Sequence, residues 1–182
     1  MGFHYRIHDK ERPYFITTTV VDWIDVFIRK NHKQCIVDAL AYCQKNKGLK
    51  IYAWCLMPSH LHMIVGANDG HNLSDIIRDF KRYTSKNILR QIIEEPESRR
   101  DWMLKCFSKA ASEHPKAGKY KFWQDGYRPI VLYSPKFTFQ KLHYIHNNPV
   151  EEMLVSRAWD YTYSSARNYT DLDGLLDVIK IE

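Results

Sequence analysis

The alternation of apolar and polar positions along the 182-residue chain changes period several times, and each change predicts an element. Tyr14 to Val21 is rich in β-formers, with Thr17, Thr18 and Thr19 inside it, and reads as a first strand. From Lys33 to Lys47, Cys35, Ile36, Ala39, Leu40 and Cys43 recur at helical spacing, and Gly48 follows as a stop. Leu49 to Leu56 reads as a second strand, Pro58-Ser59 as a turn, and His60 to Ala67 as a third strand. So short a connection predicts an antiparallel hairpin. Asn72 then caps a second helix, with Asp75 in a capping-box position and Leu73, Ile76, Ile77, Phe80, Thr84 and Ile88 as its apolar stripe.

Glu94 to Tyr120 is polar and carries Pro96, Pro115 and Gly118, with a short helix expected around Trp102 to Ala111. Phe122 to Tyr127 forms a turn into a fourth strand over Arg128 to Leu132. Pro135 opens a last helix, supplied by Phe137, Leu142 and Ile145. Asn148-Pro149 is expected to end it, because a residue before proline avoids the α region. Trp23 to Lys30 gives no decisive pattern. The order β-α-β-β-α-insert-β-α predicts an α+β fold, a ferredoxin-like antiparallel sheet with helices packed on it. The expected organisation is one domain over 1–182, with a polar insertion around 95–120 and a C-terminal extension from about 151.

An apolar fraction of 45% suits a packed core. A net charge of +6 and a pI near 9.1 suit a polyanionic partner without proving one. Five Trp, twelve Tyr and eight Phe offer stacking surfaces for unpaired bases wherever they are not core. Cys35, Cys43, Cys55 and Cys106 form no C-x-x-C pair, which points to a reducing cytoplasm and away from a zinc ribbon. No apolar run approaches the roughly 20 residues that span a bilayer, so no membrane partner is expected. On the second helix, Arg78, Lys81, Arg82 and Lys86 cluster opposite the apolar stripe. They read either as a solvated face or as a phosphate-contacting one, and few acidic partners on that side favour the second.

The candidate chemistry centres on His60-Leu61-His62. In a strand both histidines share one face while Leu61, Met63 and Val65 take the other, which is half of a metal site. The same pattern also fits two polar residues on an exposed face, so it becomes specific only in company. H-E-x-x-H is absent, as is the zinc-deaminase H-x-E with P-C-x-x-C, and the chain is short for a TIM-barrel hydrolase. The company is in the last helix, where Gln140, Tyr144 and Asn148 are spaced i, i+4, i+8. The Asn148 amide could share a metal with two imidazoles. The metal would polarise a phosphodiester for attack by the Tyr144 hydroxyl, a phenol of pKa about 10 that needs such help. Tyr83 and Tyr127 are rival nucleophiles by chemistry alone. His143 and His146 flank Tyr144, but helix geometry turns them from its face and predicts surface positions.

W-C-L-M-P-S-H-L-H-M-I-V, the basic F-K-R-Y-T-S-K-N stretch, F-W-Q-D-G-Y, Y-I-H-N-N-P-V and the W-D-Y-T-Y-S-S element at Trp159 to Ser165 are spread across residues 50–165. In that order they resemble the single-tyrosine HUH transposases of the IS200/IS605 type, and more closely the REP-associated tyrosine transposases. The resemblance implies a ferredoxin-like fold, divalent Mg²⁺ or Mn²⁺, and cleavage of single-stranded or hairpin DNA through a 5′-phosphotyrosine with a free 3′-OH. It implies His60 and His62 as metal ligands and Tyr144 as the nucleophile. Asn148 stands where IS200-type enzymes have a Gln that completes the metal site. Arg78, Lys81, Arg82, Lys86 and Arg128 are the candidate DNA contacts. Both a monomer and a helix-swapped homodimer are consistent with the resemblance. A non-catalytic hairpin binder and a phosphodiesterase using water are the competing functions.

Overall fold

The computed structural model describes residues 7, 12–114, 118–127 and 129–182. Four strands, β1 (Tyr14–Thr19), β2 (Leu49–Leu56), β3 (His60–Ala67) and β4 (Ile130–Val131), form one sheet in the order β2-β3-β1-β4. Every neighbouring pair is antiparallel, the ferredoxin-like arrangement that the order of elements predicts. β4 is shorter than expected, two residues long, although Leu132 N–H still donates to the Pro13 carbonyl at 3.0 Å.

The helices α1 (Lys30–Lys47), α2 (Leu73–Glu94) and α3 (Arg100–Ser112) lie on one face of the sheet, and α4 (Pro135–Glu151) lies on the other. The strand alternation decides this division. Ile16, Trp54, Leu61, Met63 and Val65 enter the core with Ile36, Leu40, Ile77, Phe80 and Phe107. Phe15, Ala53, Cys55 and Ile64 point the other way and meet Leu142 and Ile145 of α4. The polar 95–120 segment therefore contains α3, whose Met103 and Phe107 are fully buried in the larger core.

Local signals set the ends of the helices. Gly48 stops α1 in the left-handed region, φ 70°, where its N–H returns to the Cys43 carbonyl. A Cβ there would also meet the His71 ring at 2.8 Å. The Asn72 side chain accepts from Ser74 and Asp75 N–H at the start of α2. Ser134 caps α4, with Pro135 in its first turn. The expected stop at Asn148-Pro149 is overridden, and α4 continues through Pro149 to Glu151. Both residues are buried, so packing of that turn against the sheet outweighs the local aversion to helix before proline.

Residues 163–165 cover the outer edge of β2. Leu56 N–H donates to Tyr163 O and Ser165 N–H to Trp54 O, both at 2.9 Å, and Ser164 bridges Cys55. An edge that would otherwise present open backbone groups is thereby closed. Among the described residues no helix is long and apolar enough to cross a membrane.

Candidate functional site

β3 delivers His60 and His62 to the face beneath α4, because residues two apart in a strand share a side. Their ring centroids are 4.6 Å apart. β1 supplies the floor: Thr17 pairs with His62, and its Oγ1 lies 2.7 Å from His62 Nδ1. Phe15 stacks on the His62 ring at 5.7 Å. Ser59 Oγ lies 3.1 Å from His60 Nδ1. With the protons on Nδ1, these two hydroxyls orient both imidazoles and turn the Nε2 lone pairs outward. Burial pushes the His60 imidazolium down to about 4, partly offset by the adjacent Asn148 side chain. Burial pushes His62 down to about 3, with the charges of His60 and Lys141 acting in the same direction. Both rings are therefore neutral near pH 7, the form that donates a lone pair.

Leu142 and Ile145 seat α4 on the sheet, and that anchoring fixes the two side chains one turn apart. The Tyr144 ring meets His62 edge-on at 5.2 Å and Phe15 at 5.9 Å, and it remains 40% exposed. Asn148, only 8% exposed, points toward His60 without closing a well-aligned hydrogen bond. Its Oδ1 and His62 Nε2 are both buried with no hydrogen-bond partner. Two orphaned polar atoms in one small site are costly unless something else satisfies them. Two imidazole nitrogens and an amide oxygen suit a divalent cation that retains open positions. Among the described residues no group of three or more His, Cys, Asp and Glu is placed to hold a metal, so a site here relies on the amide.

The other expectations separate. Gln140 is exposed and does not join the site. Tyr83 lies on α2, on the far side of the sheet, and Tyr127 packs against the larger core. His143 is at the surface as expected, but His146 is buried, 9% exposed, with Nε2 2.9 Å from Ser165 Oγ. Ser165 Oγ also accepts from Trp54 N–H at 2.9 Å and donates to Trp54 O at 3.2 Å, so His146 Nε2 is the donor. The chain's last segment thus ties α4 to the edge of β2.

Two residues that sequence patterns missed also border the site. Lys141 holds its Nζ over the Phe15 ring at 4.8 Å and the Tyr144 ring at 5.5 Å. Trp23, from the stretch without a decisive pattern, meets His60 at 5.2 Å. The i, i+3 spacing of Lys141 from Tyr144 could have flagged the first, whereas no periodic signal marks the second.

The basic positions of α2 lie across the sheet from the histidines, and they have more acidic partners than expected. Arg78 pairs with Asp75 at 2.5 Å and with Asp79 at 3.4 Å, and Arg82 pairs with Asp79 at 3.4 Å. Lys81 turns inward to donate to Gln124 O at 2.9 Å, and burial pushes its ammonium down to about 8. Lys86 is exposed beside Tyr42 and Tyr83 in a groove between α1 and α2. Arg128 lies outside the described residues.

The strand bearing the paired histidines thus lies beneath the helix that carries Tyr144. The family model described as IS200-like transposase matches residues 24–115, just over half of the chain. The chain belongs to that family, whose members are DNA-cleaving transposases. Among solved structures, it is similar to a REP-associated tyrosine transposase bound to a REP hairpin, at 17% identity and TM-score 0.66. That alignment covers 100% of this chain and 96% of the other. A putative transposase from Deinococcus radiodurans R1 aligns at 18% identity and TM-score 0.45, over 81% of this chain and 95% of the other. No curated protein matches in sequence.

Proposed function

We propose that the protein is a metal-dependent single-stranded DNA strand transferase in which Tyr144 is the nucleophile and His60, His62 and Asn148 hold the divalent cation, Mg²⁺ or Mn²⁺. The observation that carries this reading is the pair of buried orphan atoms, His62 Nε2 and Asn148 Oδ1, beneath an exposed tyrosine ring. A bound divalent cation would polarise the scissile phosphate and offset its charge. The chain's own residues do the rest. Phe15 and His62 hold the Tyr144 ring, and Lys141 adds positive charge where a phosphate approaches.

Tyr144 Oη forms a bond to phosphorus and its proton leaves to solvent. The P–O3′ bond breaks, and the 3′ oxygen takes up a proton to leave as a free 3′-OH. Attack by that or another 3′-OH on the 5′-phosphotyrosine reverses the linkage and restores the phenol. The partner is hairpin DNA with an unpaired flank, by analogy with the REP hairpin of the similar structure. Arg78, Arg82 and Lys86 are candidates for stem phosphates on the opposite face.

The test is incubation with foldback single-stranded oligonucleotides and Mn²⁺, followed by denaturing electrophoresis. An SDS-stable adduct lost in Tyr144→Phe and in EDTA supports the proposal. Binding that ignores EDTA with no adduct would make the chain a non-catalytic hairpin binder. Cleavage that survives Tyr144→Phe would make it a phosphodiesterase using water.

A further inference from the structure

Trp23 sits on the turn between β1 and α1 with 59% of its surface exposed, against the outer histidine of the site. The turn around it is pinned. Val20 N–H donates to Ser59 O, Val21 N–H to Phe122 O and Phe27 N–H to Pro58 O, all within 2.9 Å. Val20, Val21 and Ile24 on either side are buried. Yet Asp22 and Trp23 both adopt left-handed backbone, φ 53° and 56°, without a glycine. Bulky residues avoid that region, and the core gains nothing from this indole, whose flanking residues do the anchoring. A strained, rigid turn presenting an open aromatic surface beside a phosphate-reactive centre has the character of a ligand platform.

We propose that Trp23 is a stacking platform for one unpaired base adjacent to the scissile phosphate. This deepens the function proposed above and rests on it. The ligand class is a nucleobase in single-stranded DNA, taken by its π-face and therefore with little base selectivity. The edge-on contact with His60 ties the indole to the candidate metal wall, so a base stacked there fixes the reach of its own phosphate to Tyr144. Such a platform requires no change in the histidines or in the tyrosine helix.

The experiment uses the full chain in EDTA, where no chemistry occurs, and single-stranded oligonucleotides carrying one 5-iodouracil at successive positions. Long-wavelength irradiation followed by peptide mapping should place a cross-link on Trp23 for one or two adjacent positions, and Tyr144→Phe should retain it. Trp23→Asn, which tolerates the left-handed backbone, should weaken oligonucleotide binding about tenfold, and Trp23→Phe much less. Removing the base at the cross-linked position should erase the difference between wild type and Trp23→Asn. Saturated oligonucleotide without a Trp23 cross-link, or equal affinity of wild type and Trp23→Asn, overturns the platform, as does failure to bind single strands at all. Adduct formation at Tyr144 by a protein that shows no Trp23 cross-link would sink the platform while leaving the transferase reading intact.

Discussion

The Tyr144 ring rests edge-on against His62 of the same chain, 5.2 Å between centroids, while Thr17 holds the far nitrogen of that histidine at 2.7 Å. A helix residue, a central-strand residue and a residue of the neighbouring strand are thus linked in series. Each link depends on backbone geometry that the sheet and α4 impose.

The first consequence concerns the cation. Titration calorimetry with Mn²⁺ should show one site that is lost in His62→Ala and weakened more than tenfold in Asn148→Ala. Thr17→Val keeps the strand and its packing but removes the hydroxyl that orients His62. Metal affinity should fall about 10–100-fold with little change in unfolding midpoint. Unchanged affinity in Thr17→Val would mean that the hydroxyl does not orient a ligand.

The second concerns the seating of α4. His146→Ala removes the donor to Ser165 Oγ and an edge-on contact with Tyr169 at 5.0 Å. A loss of about 1–3 kcal/mol is expected, measured by urea unfolding. Ser165→Ala should cost a similar amount, because it strips partners from His146 and from the Trp54 backbone. The double variant should cost clearly less than the sum, since the two side chains share one bond. Strict additivity would contradict the linkage.

The third concerns pH. Burial depresses His146 to about 4 and lowers His32 as well, while their unfolded counterparts titrate near 6.5. Below 6.5 the unfolded chain binds protons that the folded chain refuses, so stability falls as pH drops from about 6.5 toward about 4. His146 alone accounts for at most about 3 kcal/mol of that fall, and less if the site relaxes. Unfolding of the metal-free protein between pH 7.5 and 4 should show the decline, reduced in His146→Asn. A flat profile would contradict the burial of these rings.

Much of this arrangement was legible in the sequence, for physical reasons that differ by element. The strand period of two put His60 and His62 on one face before any tertiary contact was known, and the i, i+4 spacing linked Tyr144 to Asn148. Continuation of α4 through Pro149 was not legible, because the local penalty is visible and the compensating burial is not. His146 read as a surface residue because its partner, Ser165, lies 19 positions away. The acidic partners of Arg78 and Arg82 were within reach of the helical spacing, yet the inward turn of Lys81 depended on the distant Gln124 carbonyl. Trp23 carried no periodic signal, since its exposure arises from two left-handed residues in a turn.

The most direct measurement is peptide mapping of the protein–DNA adduct formed with a foldback single-stranded oligonucleotide and Mn²⁺. A 5′-phosphodeoxynucleotidyl group is expected on Tyr144 alone, absent in Tyr144→Phe and in His62→Ala. An adduct carried by Tyr83 or Tyr127, or undiminished adduct in Tyr144→Phe, would contradict it.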